Sequence, residues 1–126
     1  MTNHKKLILV VDDFKDDRDM YSYFLSLKGF QVTVAREGEE ALTRACDLQP
    51  DLIVMDLSMP GIGGWEAIRR LKGDSRTCNI PVVVVTGRTF ASAEAVGSDA
   101  CLIKPCPPDE ILAEINRVLK IPVHVD

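Results

Sequence analysis

Four short apolar runs in this 126-residue chain end in residues able to do chemistry. Asp12 and Asp13 follow Leu7–Val11, Asp56 follows Leu52–Met55, Thr86 follows Pro81–Val85, and Lys104 follows Ala100–Ile103. A polar residue at the exit of one strand needs no explanation. The set does, because three carboxylates at one rim repel one another and raise one another's pKa unless a cation intervenes. An all-oxygen ligand set suits a hard ion such as Mg²⁺. Lys104 adds a second positive charge, able to pair with a carboxylate at rest or with an incoming anion.

Those residues meet only if their runs are strands of one sheet. Five runs recur, the four above and Val32–Ala35, each brief and most of them rich in Val and Ile, which favours strand over buried helix. Helix-like segments separate them, the pattern of a parallel sheet covered on both faces. About Lys15 to Lys28, Met20, Tyr21, Phe24 and Leu25 form one apolar stripe that stops at Gly29. A second helix is expected over about Gly38 to Leu48, ending before Pro50, and a third, carrying Trp65, Ile68 and Leu71, after the turn-rich stretch Met59 to Gly64. The last opens at Pro108 with Asp109 and Glu110 in its first turn and presents Ile111, Leu112, Ile115, Val118 and Leu119. In open α/β sheets the functional crevice lies beyond the carboxyl ends of the strands, where the acids, Thr86 and Lys104 fall.

The ordered combination of Val11-Asp12-Asp13, Asp56 with Met59-Pro60 behind it, Thr86, and Lys104-Pro105 resembles the receiver domain of two-component response regulators. The resemblance runs from about Leu7 to Leu119. It implies an α/β fold of the flavodoxin-like arrangement: a five-stranded parallel sheet, order 2-1-3-4-5, flanked by five helices. It also implies a phosphoacceptor switch in a two-component system or phosphorelay. Asp56 would accept the phosphoryl group of a phosphohistidine. Asp13, Asp56 and the backbone carbonyl of Ser58 would hold Mg²⁺, with Asp12 reaching the ion through water, and Lys104 and Thr86 would hold phosphoryl oxygens. The implied partners are a sensor histidine kinase or a histidine phosphotransfer protein, and a downstream protein the sequence does not name. In this family the peptide bond between the Lys and the Pro is usually cis.

The chain departs from the family pattern at several places. Cys101 stands three positions before the lysine, where receivers commonly carry an aromatic ring; it is expected to be a small buried core residue. The 18-position interval from Thr86 to Lys104 is about one helical turn short and has little apolar periodicity, so the fourth of the five helices is expected to be short or irregular, which points to a different mode of partner contact. Gly63 replaces a common Asp in a loop expected to be flexible. Ser58 and Arg88 hold positions that influence phosphoryl lifetime in the family. Asp16, Asp17 and Asp19 read as helix-start surface charges, Gly87 as small enough to leave the site open, and Trp65 as a helix-start aromatic.

Length and composition set the remaining bounds. The chain suits one domain over residues 1–126, and its 46% apolar content is enough for a core. A net charge of −4 with no basic run offers no field for nucleic acid. The first apolar run is too short for a signal peptide or a membrane span, so a cytoplasmic protein is expected, with a modest preference for a stand-alone one. Cys46, Cys78, Cys101 and Cys106 lack zinc-ligand spacing and read as reduced thiols, with His4 and His124 in the tails. The chain is read as no enzyme beyond its own phosphorylation and dephosphorylation. Two other functions stay open: an interaction module that works without phosphate, and a phosphohydrolase with an aspartyl nucleophile, which would want a second Asp where Ser58 stands.

Overall fold

The structure, a computed structural model, describes residues 5–87 and 97–122. Five parallel strands, β1 (Leu7–Val11), β2 (Gln31–Ala35), β3 (Leu52–Met55), β4 (Val82–Thr86) and β5 (Ala100–Ile103), form one sheet in the order β2-β1-β3-β4-β5. The three inner strands are buried along nearly their whole length. Alternate side chains go to opposite faces, as a pleated strand requires. Leu9, Val11, Ile53, Met55, Val82 and Val84 pack in one cluster, and Ile8, Val10, Leu52, Val54, Val83 and Val85 in another.

Four helices among the described residues close those faces: α1 (Lys15–Leu27), α2 (Gly38–Leu48), α3 (Gly63–Lys72) and α4 (Pro108–Leu119). Ala41 and Ala45 of α2 and Ala67, Ile68 and Leu71 of α3 bury against the first cluster. Tyr21 and Leu25 of α1 and Ile111 and Ile115 of α4 bury against the second. The expectation of a short helix between Thr86 and Lys104 falls on 88–96, outside the described residues, as do Arg88, His4 and His124.

Local chemistry fixes the boundaries. The chain leaves α1 through Gly29 at φ +96°, and the Phe30 N–H returns to the Leu25 carbonyl at 3.1 Å. The Glu37 side chain accepts the Glu40 N–H at 3.0 Å while the Glu40 carboxylate accepts the Arg36 N–H, a reciprocal cap on α2. Pro108 opens α4. β4 begins at Val82 rather than Pro81, because a proline has no N–H to give the ladder. It ends on Thr86, whose carbonyl accepts the Lys104 N–H at 2.8 Å.

Two expectations on side chains are corrected. Met20 is 37% exposed and outside the core, so the buried part of the α1 stripe narrows to Tyr21 and Leu25 with Phe24 half-buried. Cys101 is exposed rather than buried in the core. On the edge strand β5 only Ala100 and Leu102 turn toward the helical layer, while Cys101 and Ile103 face outward. All four cysteines are free thiols. Among the described residues, no helix is long and apolar enough to cross a membrane.

Candidate phosphoacceptor and metal site

The carboxyl ends of β1, β3, β4 and β5 meet at one rim, and backbone pairing carries the register just past the strands. The Asp12 N–H bonds the Ala35 carbonyl at 3.1 Å and the Asp56 N–H bonds the Val11 carbonyl at 2.9 Å. One oxygen from each of Asp12, Asp13 and Asp56 lies within 4.8 Å of the other two. Asp12 and Asp56 are buried and Asp13 is exposed, so the trio lines a recess open on one side. Asp12 Oδ1 accepts the Phe14 N–H at 2.9 Å, and Asp56 Oδ1 accepts the Ser58 N–H at 3.0 Å. These bonds orient each carboxylate so that its Oδ2 turns to Lys104.

Lys104 is the hub. Its Nζ lies 2.9 Å from Asp12 Oδ2, 2.8 Å from Asp17 Oδ2 and 3.5 Å from Asp56 Oδ2. Burial alone would lower its pKa, but the bonds to Asp17 and Asp12 and the charge of Asp56 hold it above the ordinary lysine range. Burial pushes Asp12 up to about 6, against the opposing pull of the Phe14 N–H and Lys104. Burial also raises Asp56, offset in part by the Ser58 N–H and Lys104. Two buried acids that ionise reluctantly beside a third make an oxygen-donor set whose charge a divalent ion would relieve, and hard oxygen donors fit Mg²⁺.

Thr86 is fully buried at the end of β4, and its Oγ1 has no hydrogen-bond partner among the described residues. Buried hydroxyls are normally paired. The peptide bond between Lys104 and Pro105 is cis. Ser58 is exposed, and Trp65 sits in the first turn of α3, half-buried against the core.

The response regulator receiver domain family matches residues 8–116. The chain belongs to the response regulator receiver domain family. A receiver domain is a phosphoacceptor signalling switch, and no observation favours the hydrolase or the phosphate-independent alternative. The chain is 34% identical over 119 residues to the phosphate regulon transcriptional regulatory protein PhoB of Pseudomonas aeruginosa, covering 91% of this chain and 52% of that protein. It is 33% identical over 124 residues to the DNA-binding response regulator MtrA of Mycobacterium tuberculosis, covering 95% of this chain and 53% of that one. The receiver thus spans about half the length of these curated relatives. Among solved structures it is similar to the chemotaxis protein CheY4 of Vibrio cholerae, with a TM-score of 0.86 and 31% identity over 91% of this chain and 99% of that one.

The receiver's rim brings together the side chains of Asp12, Asp13, Asp56 and Lys104, with Thr86 one ladder bond from Lys104 and Ser58 bonded to Asp56. Sequence reasoning misses Asp17 as a neighbour of Lys104. It is not one of the surface charges that Asp16 and Asp19 are, Asp19 pairing with Lys15 across one helical turn. The start of α1 lies at the same rim, but nothing in the sequence marks Asp17 off from Asp16 and Asp19.

Proposed function

We propose that Asp56 takes a phosphoryl group from a phosphohistidine of a sensor histidine kinase or histidine phosphotransfer protein, and that the modified domain changes its binding to a downstream protein. The observation that supports this most directly is the meeting of Asp56 with two further carboxylates and one ammonium in a recess at the ends of the strands. Phosphoryl transfer requires little covalent chemistry from the protein, so positioning and charge stabilisation account for most of the rate.

In this reading the ionised Asp56 carboxylate attacks phosphorus, the phosphorus–nitrogen bond of the donor breaks, and its electron pair returns to the imidazole. The Ser58 N–H and Lys104 favour the anionic form of Asp56 against the effect of its burial. The side chains of Asp13 and Asp56 and the Ser58 carbonyl would hold Mg²⁺, with Asp12 reaching it through water. Bound there, the ion would supply positive charge that offsets the negative charge of the acceptor and the phosphoryl group. Lys104 then pairs with a second phosphoryl oxygen, and the Thr86 hydroxyl, unpartnered among the described residues, donates to a third.

The acting unit is a single receiver domain with its core over about 7–119, working in the cytoplasm. It catalyses no reaction beyond its own phosphorylation and dephosphorylation. Intact-mass analysis after treatment with acetyl phosphate and Mg²⁺ tests the reading. One phosphoryl group is expected per chain, lost with EDTA and in Asp56→Asn; labelling retained in that variant would move the acceptor elsewhere.

A further inference from the structure

Among the described residues, the Lys104 ammonium makes two hydrogen bonds, to Asp12 and to Asp17, and a looser approach to Asp56. Two of these three partners belong to the carboxylate trio, so the resting ammonium is paired with carboxylates that a divalent cation would also draw on. Asp17 stands apart. It belongs to the first turn of α1, is outside the trio, and holds Lys104 at 2.8 Å. Asp17 and Lys104 also share the wall of an open cleft of about 420 Å³ with Met20, Tyr21, Pro105 and Cys106. The ammonium therefore has room on that side and need not displace packed atoms to move.

From this arrangement we infer that Asp17 is a positioning residue for the proposed chemistry: it receives the Lys104 ammonium when a divalent cation takes the Asp12, Asp13 and Asp56 carboxylates. This rests on the reading of that trio as a Mg²⁺ site. The physical reason is competition between cations. Binding of a divalent ion weakens the attraction of Asp12 and Asp56 for Lys104 and sets two positive charges against each other at short range. A carboxylate already bonded to the ammonium and not shared with the ion keeps its full attraction. Asp17 then holds Lys104 beside the recess, within reach of a phosphoryl oxygen and off the metal's ligands. Without Asp17 the ammonium stays bonded to Asp12 and opposes the ion.

The test is a double-mutant cycle on metal affinity, with Mn²⁺ binding followed by electron paramagnetic resonance and Mg²⁺ as the competitor. Asp17→Asn should weaken Mg²⁺ binding by about five- to tenfold, the usual coupling for groups in direct contact. Asp17→Glu, which keeps a carboxylate, should recover most of that loss. In a Lys104→Met background, Asp17→Asn should change Mg²⁺ affinity by less than about twofold, because only the screened field of one charge is then lost. Urea unfolding separates any effect on the first turn of α1, which would persist in both backgrounds. An Asp17→Asn variant within twofold of the wild type, or an equal loss in both backgrounds, overturns the role of Asp17 while leaving the metal site intact. A wild-type protein with no saturable Mg²⁺ binding overturns the metal reading itself, and this inference with it.

Discussion

Gly64 is the second residue of α3 and is buried, with its N–H on the Leu57 carbonyl at 3.2 Å. A Cβ at this position would collide with the Asp56 carbonyl oxygen and stand 2.6 Å from Leu57 Cα. Both obstacles are backbone, so no rotamer change relieves them. Reaching ordinary contact requires α3 and the end of β3 to part by roughly 1 Å. Overpacking of this kind costs about 1–3 kcal/mol, against a gain of about 1 kcal/mol from replacing glycine by alanine within a helix. Because the obstacles are backbone, the upper part of that cost, about 2–3 kcal/mol, applies, and Gly64→Ala should lose about 1–2 kcal/mol net, read as a lower midpoint in urea at unchanged slope. The displaced backbone is that of Asp56 itself, so the yield of acetyl phosphate labelling should fall with it. Gly87→Ala is the control: a Cβ there meets nothing within 4 Å, and stability should hold within about 0.5 kcal/mol. A Gly64→Ala protein as stable as the wild type, with full labelling, would refute the argument that close backbone approach dictates this glycine.

Two further outcomes are expected. Because burial holds Asp12 at about 6, a proton competes with the metal below that pH: Mg²⁺ affinity should level off above about pH 7 and fall as the pH drops through 6, and a flat titration between pH 5 and 7 would contradict the assignment. Thr86→Val removes a buried hydroxyl with no partner among the described residues, so the free domain should gain about 1 kcal/mol or stay unchanged in urea while phosphorylation slows; a clear loss of stability would show that the hydroxyl is satisfied at rest.

What the sequence could show follows from the range of each interaction. Leu7–Val11, Leu52–Met55 and Ala100–Ile103 are legible as strands because buried parallel strands are continuous apolar runs with abrupt ends, and those ends locate Asp12, Asp56 and Lys104. The strand order comes from the family resemblance, since no run states its neighbours. The Asp17–Lys104 pair spans 87 positions, and the local setting of Asp17 is that of any acid near a helix start. The exposure of Cys101 is hidden for a related reason: Ala100-Cys101-Leu102-Ile103 is apolar throughout, so the run does not reveal which two of its side chains are exposed. In the loop after Asp56, Gly61 and Gly63 adopt φ of +79° and +74°, which side chains disfavour, and Gly64 admits no Cβ without a backbone shift. The sequence shows the glycines but not which of these two demands each one meets.

The charge of the rim explains why an anionic donor needs more than the protein's own cations. Among the described residues, Asp12, Asp13, Asp17 and Asp56 share the rim with the Lys104 ammonium and with the Arg18 guanidinium, bonded to the Asp12 carbonyl, leaving a formal charge of −2 when all four acids are ionised. An acyl phosphate or a phosphohistidine brings further negative charge toward that field, and a partly buried site screens the repulsion poorly. Protonating Asp12 would lower the charge by one, but at neutral pH its position near 6 leaves mostly carboxylate. A divalent ion would lower it by two and, in the proposed arrangement, release Lys104 from Asp12 and Asp56. The ammonium could then meet a phosphoryl oxygen, and the expected metal dependence of labelling and the placement of Lys104 would be two readings of one electrostatic balance.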